Sequence, residues 1–171
     1  MKVHSTIYAI LSSALIWSCN EQSPKITQYS PSSQEIEVRQ VVLDLFQAMY
    51  DGDSSKASKV FRPEAKLYSI FQQNDSTQWH EGSVPQFLTA IGSPHNVKWI
   101  EKSWDYQITI DDGLAQVWCQ YAFFAGERFS HCGVDAFQLV HTHEGWKIFS
   151  LADTRRKDGC IFPTGEFFEP K

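Results

Sequence analysis

The sequence lacks an excess of basic residues. It contains 15 Lys and Arg against 20 Asp and Glu, which gives a formal net charge of −5 at pH 7. This balance argues against a protein that binds nucleic acid through a basic face, because phosphate contacts require clustered Lys and Arg. The aromatic content of 14% argues against a disordered chain. At 171 residues, the chain is long enough for one domain with its own hydrophobic core.

The fingerprints of common cofactor and nucleophile sites are also missing. The sequence has no P-loop, no dinucleotide-binding fingerprint and no nucleophile elbow. Its histidines lack metal-ligand spacing, and the pair His141 and His143 falls at a turn where metal capture is not expected. Ser130 and His131 are adjacent, and adjacent side chains of a strand point to opposite faces. We therefore predict no metal and no bound cofactor.

The first 18 residues have the organisation of a secretory signal peptide. Their uncharged stretch, Ser5–Ser18, is too short to span a membrane. It ends in Ile16-Trp17-Ser18-Cys19, which resembles the lipobox of bacterial lipoproteins, in which the signal is removed and the cysteine is lipidated. We therefore predict a lipid anchor at Cys19 and a place in the bacterial cell envelope, on the periplasmic side of a membrane. An ordinary signal peptide or a buried N-terminal strand is the alternative.

The rest of the chain divides into a tether, a domain and a tail. Residues 19–34 combine the lipidated cysteine with a Ser-, Gln- and Pro-rich stretch without periodicity, which is typical of a flexible tether. A single domain is predicted over residues 35–160. The tail, residues 161–171, carries aromatic side chains that need cover from the domain or from a second subunit. Docking on its own domain is the simpler expectation.

Three helices are predicted in the first half of the domain. Over residues 36–50, apolar side chains recur with the 4-3-4 spacing of one helix face. A second, short helix ends near Phe61. Ser83 and the Gln three residues later have the spacing of a capping box, which begins a third helix over residues 84–91.

The second half of the domain has the two-residue period of strands. An early strand is predicted over residues 65–71, and four long strands follow after Pro94, the second of them after a hairpin signal at Asp111-Asp112-Gly113. The order of elements predicts an α+β fold, in which three N-terminal helices cover a curved antiparallel sheet made of a four-strand meander and one earlier strand.

One face of this meander combines aromatic residues with ionisable ones. The residues predicted to face the helices include Trp104, Tyr106, His131, Asp135 and Phe137. On strand 114–124 either Val117 or Trp118 points inward, because a slip of one residue inverts the face, and we favour Trp118. Across the last hairpin, symmetric pairing would place Asp135 opposite Ala152.

The order of elements and several segments resemble the nuclear-transport-factor-2-like superfamily. The segments are His80-Glu81-Gly82-Ser83, the strand FSHCGVDAFQLV at 129–140, GWKI at 145–148 and DTRR at 153–156. They are similar to a SnoaL-like bacterial subgroup that is sometimes labelled lumazine-binding. The resemblance covers residues 36–160. It implies a cone-shaped barrel with a pocket between sheet and helices, and a homodimer formed through the sheet.

The same resemblance does not select one function. The superfamily includes ketosteroid isomerase, scytalone dehydratase, SnoaL-like polyketide cyclases and non-catalytic docking modules. The choice therefore depends on the residues of this chain that face the pocket.

Asp135 is the most informative candidate for chemistry. On an otherwise apolar face its carboxyl would lose solvation, which raises the pKa and suits a general acid or base. Tyr106 could donate a hydrogen bond to a developing oxyanion. His131 lies four residues away, about 13 Å along a strand, so the two could only bracket a ligand. The alternative is a structural Asp135 that pairs with an arginine or with backbone amides.

Arg155 and the cysteines each leave two possibilities. Arg155 could hold an anion at the edge of the pocket, or it could simply end a solvated strand. After lipidation of Cys19 three cysteines remain, which suggests one disulfide and one free thiol. Cys132 can pair with Cys160 or with Cys119.

The leading hypothesis is a lipid-anchored, homodimeric domain that binds a small, partly aromatic organic molecule in an aromatic-walled pocket. Its expected lining residues are Trp104, Tyr106, Trp118, His131, Asp135, Phe137 and Arg155. The first alternative is an enzyme of the isomerase, dehydratase or cyclase type, with Asp135 as general acid or base and Tyr106 as its catalytic partner. The second is a dimeric docking module without a functional pocket.

Overall fold

The computed structural model of the protein describes residues 29–165 and 167–171. The predicted signal peptide, Cys19 and most of the predicted tether lie outside the described residues. The elements are α1 (Ser33–Asp51), α2 (Ser54–Val60), β1 (Phe61–Gln73), β2 (Ser76–Ser83), α3 (Val84–Gly92), β3 (Trp99–Asp111), β4 (Leu114–Ala125), β5 (Arg128–Thr142) and β6 (Gly145–Arg155). Within the described ranges, none of these helices has the length and apolar character that crossing a membrane requires.

Side-chain caps explain where the three helices begin. Ser32 and Glu35 form a reciprocal capping box at the start of α1, so the last two residues of the predicted tether are helical. The side chains of Asp53 and Ser83 accept backbone N–H groups at the starts of α2 and α3. Gly52 ends α1 in the left-handed conformation, with φ 70°. All three predicted helices are confirmed.

The six described strands form one curved, mixed sheet in the order β2-β1-β6-β5-β4-β3. Every neighbouring pair is antiparallel except β1 and β6, which run parallel. The predicted α+β class, with helices over a curved sheet and a meander of four strands, is confirmed. The sheet also contains β2, which the sequence does not indicate because its residues are mostly exposed. A two-residue turn, Asn74-Asp75, joins it to β1 with positive φ at both positions.

The helices pack on one face of the sheet, where the main core lies. The apolar stripe of α1 is buried as predicted, including Val38, Val42 and Leu45. It meets Phe137 and Ile148, which are fully buried on β5 and β6. Burial of such side chains contributes about 1.5–3 kcal/mol each, so this contact accounts for much of the stability of the domain.

Two predicted orientations in β3 and β4 are wrong. Val117 points to the helices, and Trp118 lies on the opposite, outer face with 41% exposure. Trp104 also lies on the outer face, because β3 carries an extra residue between Trp104 and Gln107 relative to β4. This bulge, where Asp105 has φ 52°, separates the face of Trp104 from that of the residues that follow.

A second bulge changes the partner of Asp135. At the turn end of the last hairpin the predicted pairing is confirmed, but β6 then has an extra residue at Phe149. The register shifts by one, so Asp135 lies opposite Asp153 and not opposite Ala152. Asp153 and Arg155 are thereby turned to the inner face of the sheet.

The tail docks on its own domain, as expected. A disulfide joins Cys132 of β5 to Cys160, and Cys119 is free and buried. Phe168 pairs backbone to backbone with Ser103 of β3. The cysteine pairing is therefore the first of the two that the sequence left open.

Candidate functional site

A cavity of about 580 Å³ lies between the helices and the inner face of the sheet. Its walls are largely apolar and aromatic, with Phe46 from α1, Phe87 from α3, Trp99 from β3 and Phe123 from β4. This volume lies within the range of sites for small organic molecules. The cavity is not filled by side chains, which is the arrangement that would have favoured a docking module over both pocket hypotheses.

A pair of buried carboxyls borders the cavity. Glu101 comes from β3 and is 7% exposed, and Asp135 comes from β5 and is 3% exposed. Their side chains lie within hydrogen-bonding reach of each other. Within the described part of the chain, Asp135 Oδ2 has no hydrogen-bond partner. Because a buried carboxyl oxygen without a partner is costly, the carboxyl pair is the group at the border of the cavity that still has hydrogen-bonding capacity.

Burial changes the acidity of both carboxyls. Loss of solvation, and then the neighbouring Glu101, raise the pKa of Asp135 well above its usual range. Burial likewise raises the pKa of Glu101 to about 7. At neutral pH the pair therefore retains at least one proton, and it can both accept and donate protons near that pH.

Asp153 lies beside this pair, and both of its carboxylate oxygens accept hydrogen bonds within the protein. Arg155 donates to its two oxygens, from Nε at 2.6 Å and from Nη2 at 3.3 Å. Ser69 Oγ donates to Asp153 Oδ1 at 2.7 Å, and the Tyr121 hydroxyl lies 3.2 Å from Oδ2. The arginine therefore neutralises Asp153 and not Asp135. The sequence left open that Asp135 is a structural residue that pairs with an arginine. In the structure the residue that pairs with Arg155 is Asp153.

His131 lines the same cavity and is held by its neighbours. Its ring packs against Tyr121 and Phe123, with centroid distances of 5.7 and 5.2 Å. Burial, and then the charge of Arg155, lower the pKa of His131, so the ring is neutral at pH 7. Its Nδ1 shares a hydrogen bond of 2.9 Å with Ser130 Oγ.

The contact between Ser130 and His131 contradicts the expected opposite orientation. The pairing of β4 with β5 shifts beside them, because Phe123 pairs with His131 while Phe124 pairs with Phe129. Ser130 is the extra residue of this bulge, and its side chain reaches the cavity as well. Ser130 and His131 therefore form a hydrogen-bonded pair in the cavity wall, and no carboxylate among the described residues bonds to His131 to complete a catalytic triad.

Three of the predicted site residues line the cavity, namely His131, Asp135 and Arg155. The placement of four others was wrong: Trp104, Tyr106, Trp118 and Phe137 do not line it. The two tryptophans lie on the outer face, for the reasons given above. The Tyr106 hydroxyl is bonded to Ser103 Oγ, and neither residue borders the cavity. Phe137 is fully buried one layer behind the wall, edge-on to Phe46 at 6.1 Å.

Two residues of the site escaped the sequence reasoning. Glu101 precedes Trp104, where the predicted strand begins, but β3 starts at Trp99, so Glu101 alternates with its neighbours and faces the cavity. Tyr121 belongs to the face of β4 that was not favoured. Within the described residues, the acids and histidines form no cluster of three suited to a metal ion.

Comparison with known proteins identifies relatives of the fold. A family model described as "Putative lumazine-binding" matches residues 33–152, well over half of the chain. A nuclear-transport-factor-2-like protein of unknown function from Shewanella baltica is 15% identical with a TM-score of 0.57, over 76% of this chain and 100% of that one. No curated protein matches the sequence significantly.

Two proteins of Novosphingobium aromaticivorans are similar as well. One has a cystatin-like fold, with 12% identity and a TM-score of 0.57 over 74% of this chain and 84% of that one. The other is described as a putative scytalone dehydratase, with 13% identity and a TM-score of 0.57 over 77% and 93%. At such low identity these structures establish the fold, and the function has to be argued from the site.

Proposed function

Since this chain belongs to the lumazine-binding-like family of the nuclear-transport-factor-2-like superfamily, we propose that it binds a small organic molecule in the cavity between helices and sheet. The observation that carries the proposal is the junction of an apolar, aromatic wall with a buried carboxyl oxygen that lacks a partner. Binding sites of small molecules usually combine such walls with a few oriented polar groups. The ligand would place its apolar body against the rings and its polar edge on Asp135.

A thermal-shift screen of the full chain tests this proposal. Lumazine, pterin, riboflavin and a sterol represent flat ligands of increasing size. The matched variants are Ala90→Phe, which narrows the cavity from α3, and Thr89→Phe, which adds the same ring at the neighbouring exposed position. Binding that survives in Thr89→Phe and is lost in Ala90→Phe supports the cavity. Binding that is equal in both variants places the ligand elsewhere.

An acid–base enzyme is the second candidate function. It is favoured by the raised pKa of Asp135 and by the neutral His131 on the same wall. One similar structure carries the description of a dehydratase, which fits this class. Tyr121 provides the phenolic group beside the acids in place of Tyr106, but its hydroxyl bonds to the Thr154 carbonyl and Asp153, so its role would be to orient the acids.

Deuterium exchange tests the enzyme candidate without knowledge of the natural substrate. The full chain is incubated in D₂O with 2-tetralone, a ring-sized ketone with acidic C–H bonds, and exchange is followed by NMR. Catalysed exchange that disappears in Asp135→Asn supports an acid–base role. Exchange at the uncatalysed rate removes this candidate for ketones and leaves binding as the function.

We further propose that the protein is lipidated at Cys19, stands on the periplasmic side of a bacterial membrane and forms a homodimer. The lipobox-like sequence supports the anchor, and mass spectrometry of the N-terminal peptide tests it against a Cys19→Ala variant. The exposed Trp118 on the outer sheet face supports the dimer. Sedimentation of Trp118→Glu is expected to show monomers, whereas Trp79→Glu on β2 keeps the dimer.

A further inference from the structure

The hydrogen-bond donors around Asp135 are already used within the protein. Ser69 Oγ donates to Asp153 at 2.7 Å, and the Tyr121 hydroxyl lies 3.2 Å from the same carboxylate. Arg155 donates to it from two nitrogens. Asp135 Oδ2, by contrast, accepts no hydrogen bond from any described residue. The carboxyl pair is therefore the group at this end of the cavity whose hydrogen bonds are not all made within the described residues, and in its ionised form it accepts an N–H or O–H donor of a ligand.

The charges at this end of the cavity do not cancel. Apart from its histidines, the described cavity lining contains one basic side chain, Arg155, and Asp153 binds it. A single proton shared by Glu101 and Asp135 leaves the pair with one negative charge. A net charge buried against apolar walls is unfavourable unless an opposite charge accompanies it. A cationic group on the ligand would supply that charge.

The aromatic wall is suited to the same kind of ligand. Phe46, Phe87, Trp99 and Phe123 border the cavity. The faces of aromatic rings attract organic cations within about 6 Å of the ring centre, and the strength grows when water is excluded. The rings therefore complement the carboxyl pair, since they favour a cation that also has an apolar body.

From these observations we infer that the cavity binds a small organic cation, an amine or amidinium group carried on an apolar, ring-sized body. Its N–H groups donate to the carboxyl pair of Asp135 and Glu101, and its body lies against the aromatic wall. This inference specifies the ligand class of the proposed function and rests on it.

Binding of a cation by the carboxyl pair depends on pH. The groups that face the pair are Tyr106 on β3, Cys119 and Tyr121 on β4, Asp153 and Arg155 on β6, and Arg39 of α1 near Cys119, while His131 on β5 lines the same cavity. Burial raises the pKa of Cys119 and of Tyr121, and it lowers the pKa of His131, so all three stay neutral at pH 7. Ionisation of the carboxyl pair therefore dominates near neutrality. A cation binds the ionised pair more tightly, so binding strengthens with pH and releases protons.

Benzamidinium, benzamide and benzoate form a size-matched cation, neutral and anion series for the test. Isothermal titration of the full chain is expected to show affinity for benzamidinium about tenfold or more above that for benzamide, with benzoate weakest. Affinity for benzamidinium should rise from about pH 6 to about pH 8, the interval in which the pair ionises. Titration in two buffers of different ionisation enthalpy measures the released protons.

Matched variants separate this assignment from non-specific attraction of a cation to an acidic protein. Asp135→Asn combined with Glu101→Gln, which leaves the pair uncharged at every pH, is expected to abolish the preference for benzamidinium over benzamide. Glu127→Gln, which removes an exposed carboxylate in the turn between β4 and β5, is expected to keep it. If this double variant fails to fold, the pH profile of the unaltered chain provides the same test.

The titrations with benzamidinium, benzamide and benzoate test the cation assignment separately from the proposed function. Equal affinities for benzamidinium and benzamide, or affinity that falls as pH rises, overturn the cation assignment and leave small-molecule binding in place. The absence of binding by all three compounds also overturns it. The screen with lumazine, pterin, riboflavin and a sterol then decides the proposed function separately.

Discussion

Glu101 and Asp135 meet on the inner face of the sheet although β4 separates the strands that carry them. Both carboxyls are buried, and the nearby Arg155 is bound to Asp153. The folded protein therefore holds protons that the unfolded chain would release. The stability of the fold is tied to pH through this pair.

Replacement of Glu101 by Gln is expected to remove much of that pH dependence. Burial raises the Glu101 pKa from 4.5 to about 7. A raised pKa contributes stability that is fully present below pH 4.5 and is lost as the pH rises through about 7. The full interval corresponds to at most on the order of 3 kcal/mol in the free energy of unfolding. Urea unfolding at about pH 5 and about pH 8 measures the difference.

The control for this change is Glu127→Gln at the exposed turn between β4 and β5. That variant should keep the stability difference of the unaltered chain. A Glu101→Gln protein that loses as much stability between the two pH values as the unaltered chain would contradict the account of the pair.

Two tyrosines on the inner side of the sheet provide a matched comparison. The Tyr121 hydroxyl lies 2.9 Å from the Thr154 carbonyl and 3.2 Å from Asp153, beside the cavity. The Tyr106 hydroxyl bonds to Ser103 away from it. Removal of either hydroxyl should cost about 1–2 kcal/mol of stability, because a partner is left unsatisfied.

The two variants should differ in ligand binding. Tyr121→Phe is expected to weaken binding several-fold, since Asp153 and its arginine lose one of their fixed neighbours. Tyr106→Phe should leave the affinity unchanged. Titration of both variants with the best compound of the thermal-shift screen decides this, and equal affinities would remove Tyr121 from the site.

Local patterns were sufficient to predict the helices and the general arrangement of the sheet. A helix that starts at a Ser or Asp cap and buries a 4-3-4 stripe, as α1 does, is determined mostly by its own residues. The strand β2 was missed because an exposed edge strand needs no apolar alternation. The parallel pairing of β1 with β6 could not be predicted either, because it depends on contacts between residues that are far apart in the chain.

The site was harder to predict because bulges decide which face a residue takes. Asp135 was placed correctly since it lies in an uninterrupted part of β5. Trp104 was misplaced by the extra residue that follows it, and the partner of Asp135 was misassigned because of Phe149. An inserted residue of this kind has no pattern of its own, and its effect appears only after two strands have paired.

Gly133 is expected to tolerate no side chain. A Cβ at this position would lie 1.7 Å from the Thr154 carbonyl oxygen, which belongs to the backbone of β6 and cannot move without breaking the pairing. Gly133→Ala should therefore destabilise the fold by about 3 kcal/mol or more, or prevent folding. Gly113→Ala, with its nearest atom 3.9 Å away, should remain near the stability of the unaltered chain. Comparable urea midpoints for the two variants would refute the tight contact between β5 and β6.

The disulfide between Cys132 and Cys160 fastens the tail to the outer side of the sheet. It closes a loop with a sequence separation of 28 residues, for which the chain-entropy relation gives about 3.5 kcal/mol. Phe162 of the tail packs against Phe129 at a centroid distance of 5.8 Å, so part of the attachment does not depend on the bond.

Reduction of the disulfide should therefore lower the melting temperature without unfolding the domain at room temperature. Cys160→Ser should have the melting temperature of the reduced chain and no response to reductant, because it lacks the bond under both conditions. Cys119→Ala, which removes the free buried thiol, should keep the full response. A melting temperature of the unaltered chain that reductant does not change, with the bond confirmed as broken by mass spectrometry, would mean that aromatic packing alone holds the tail.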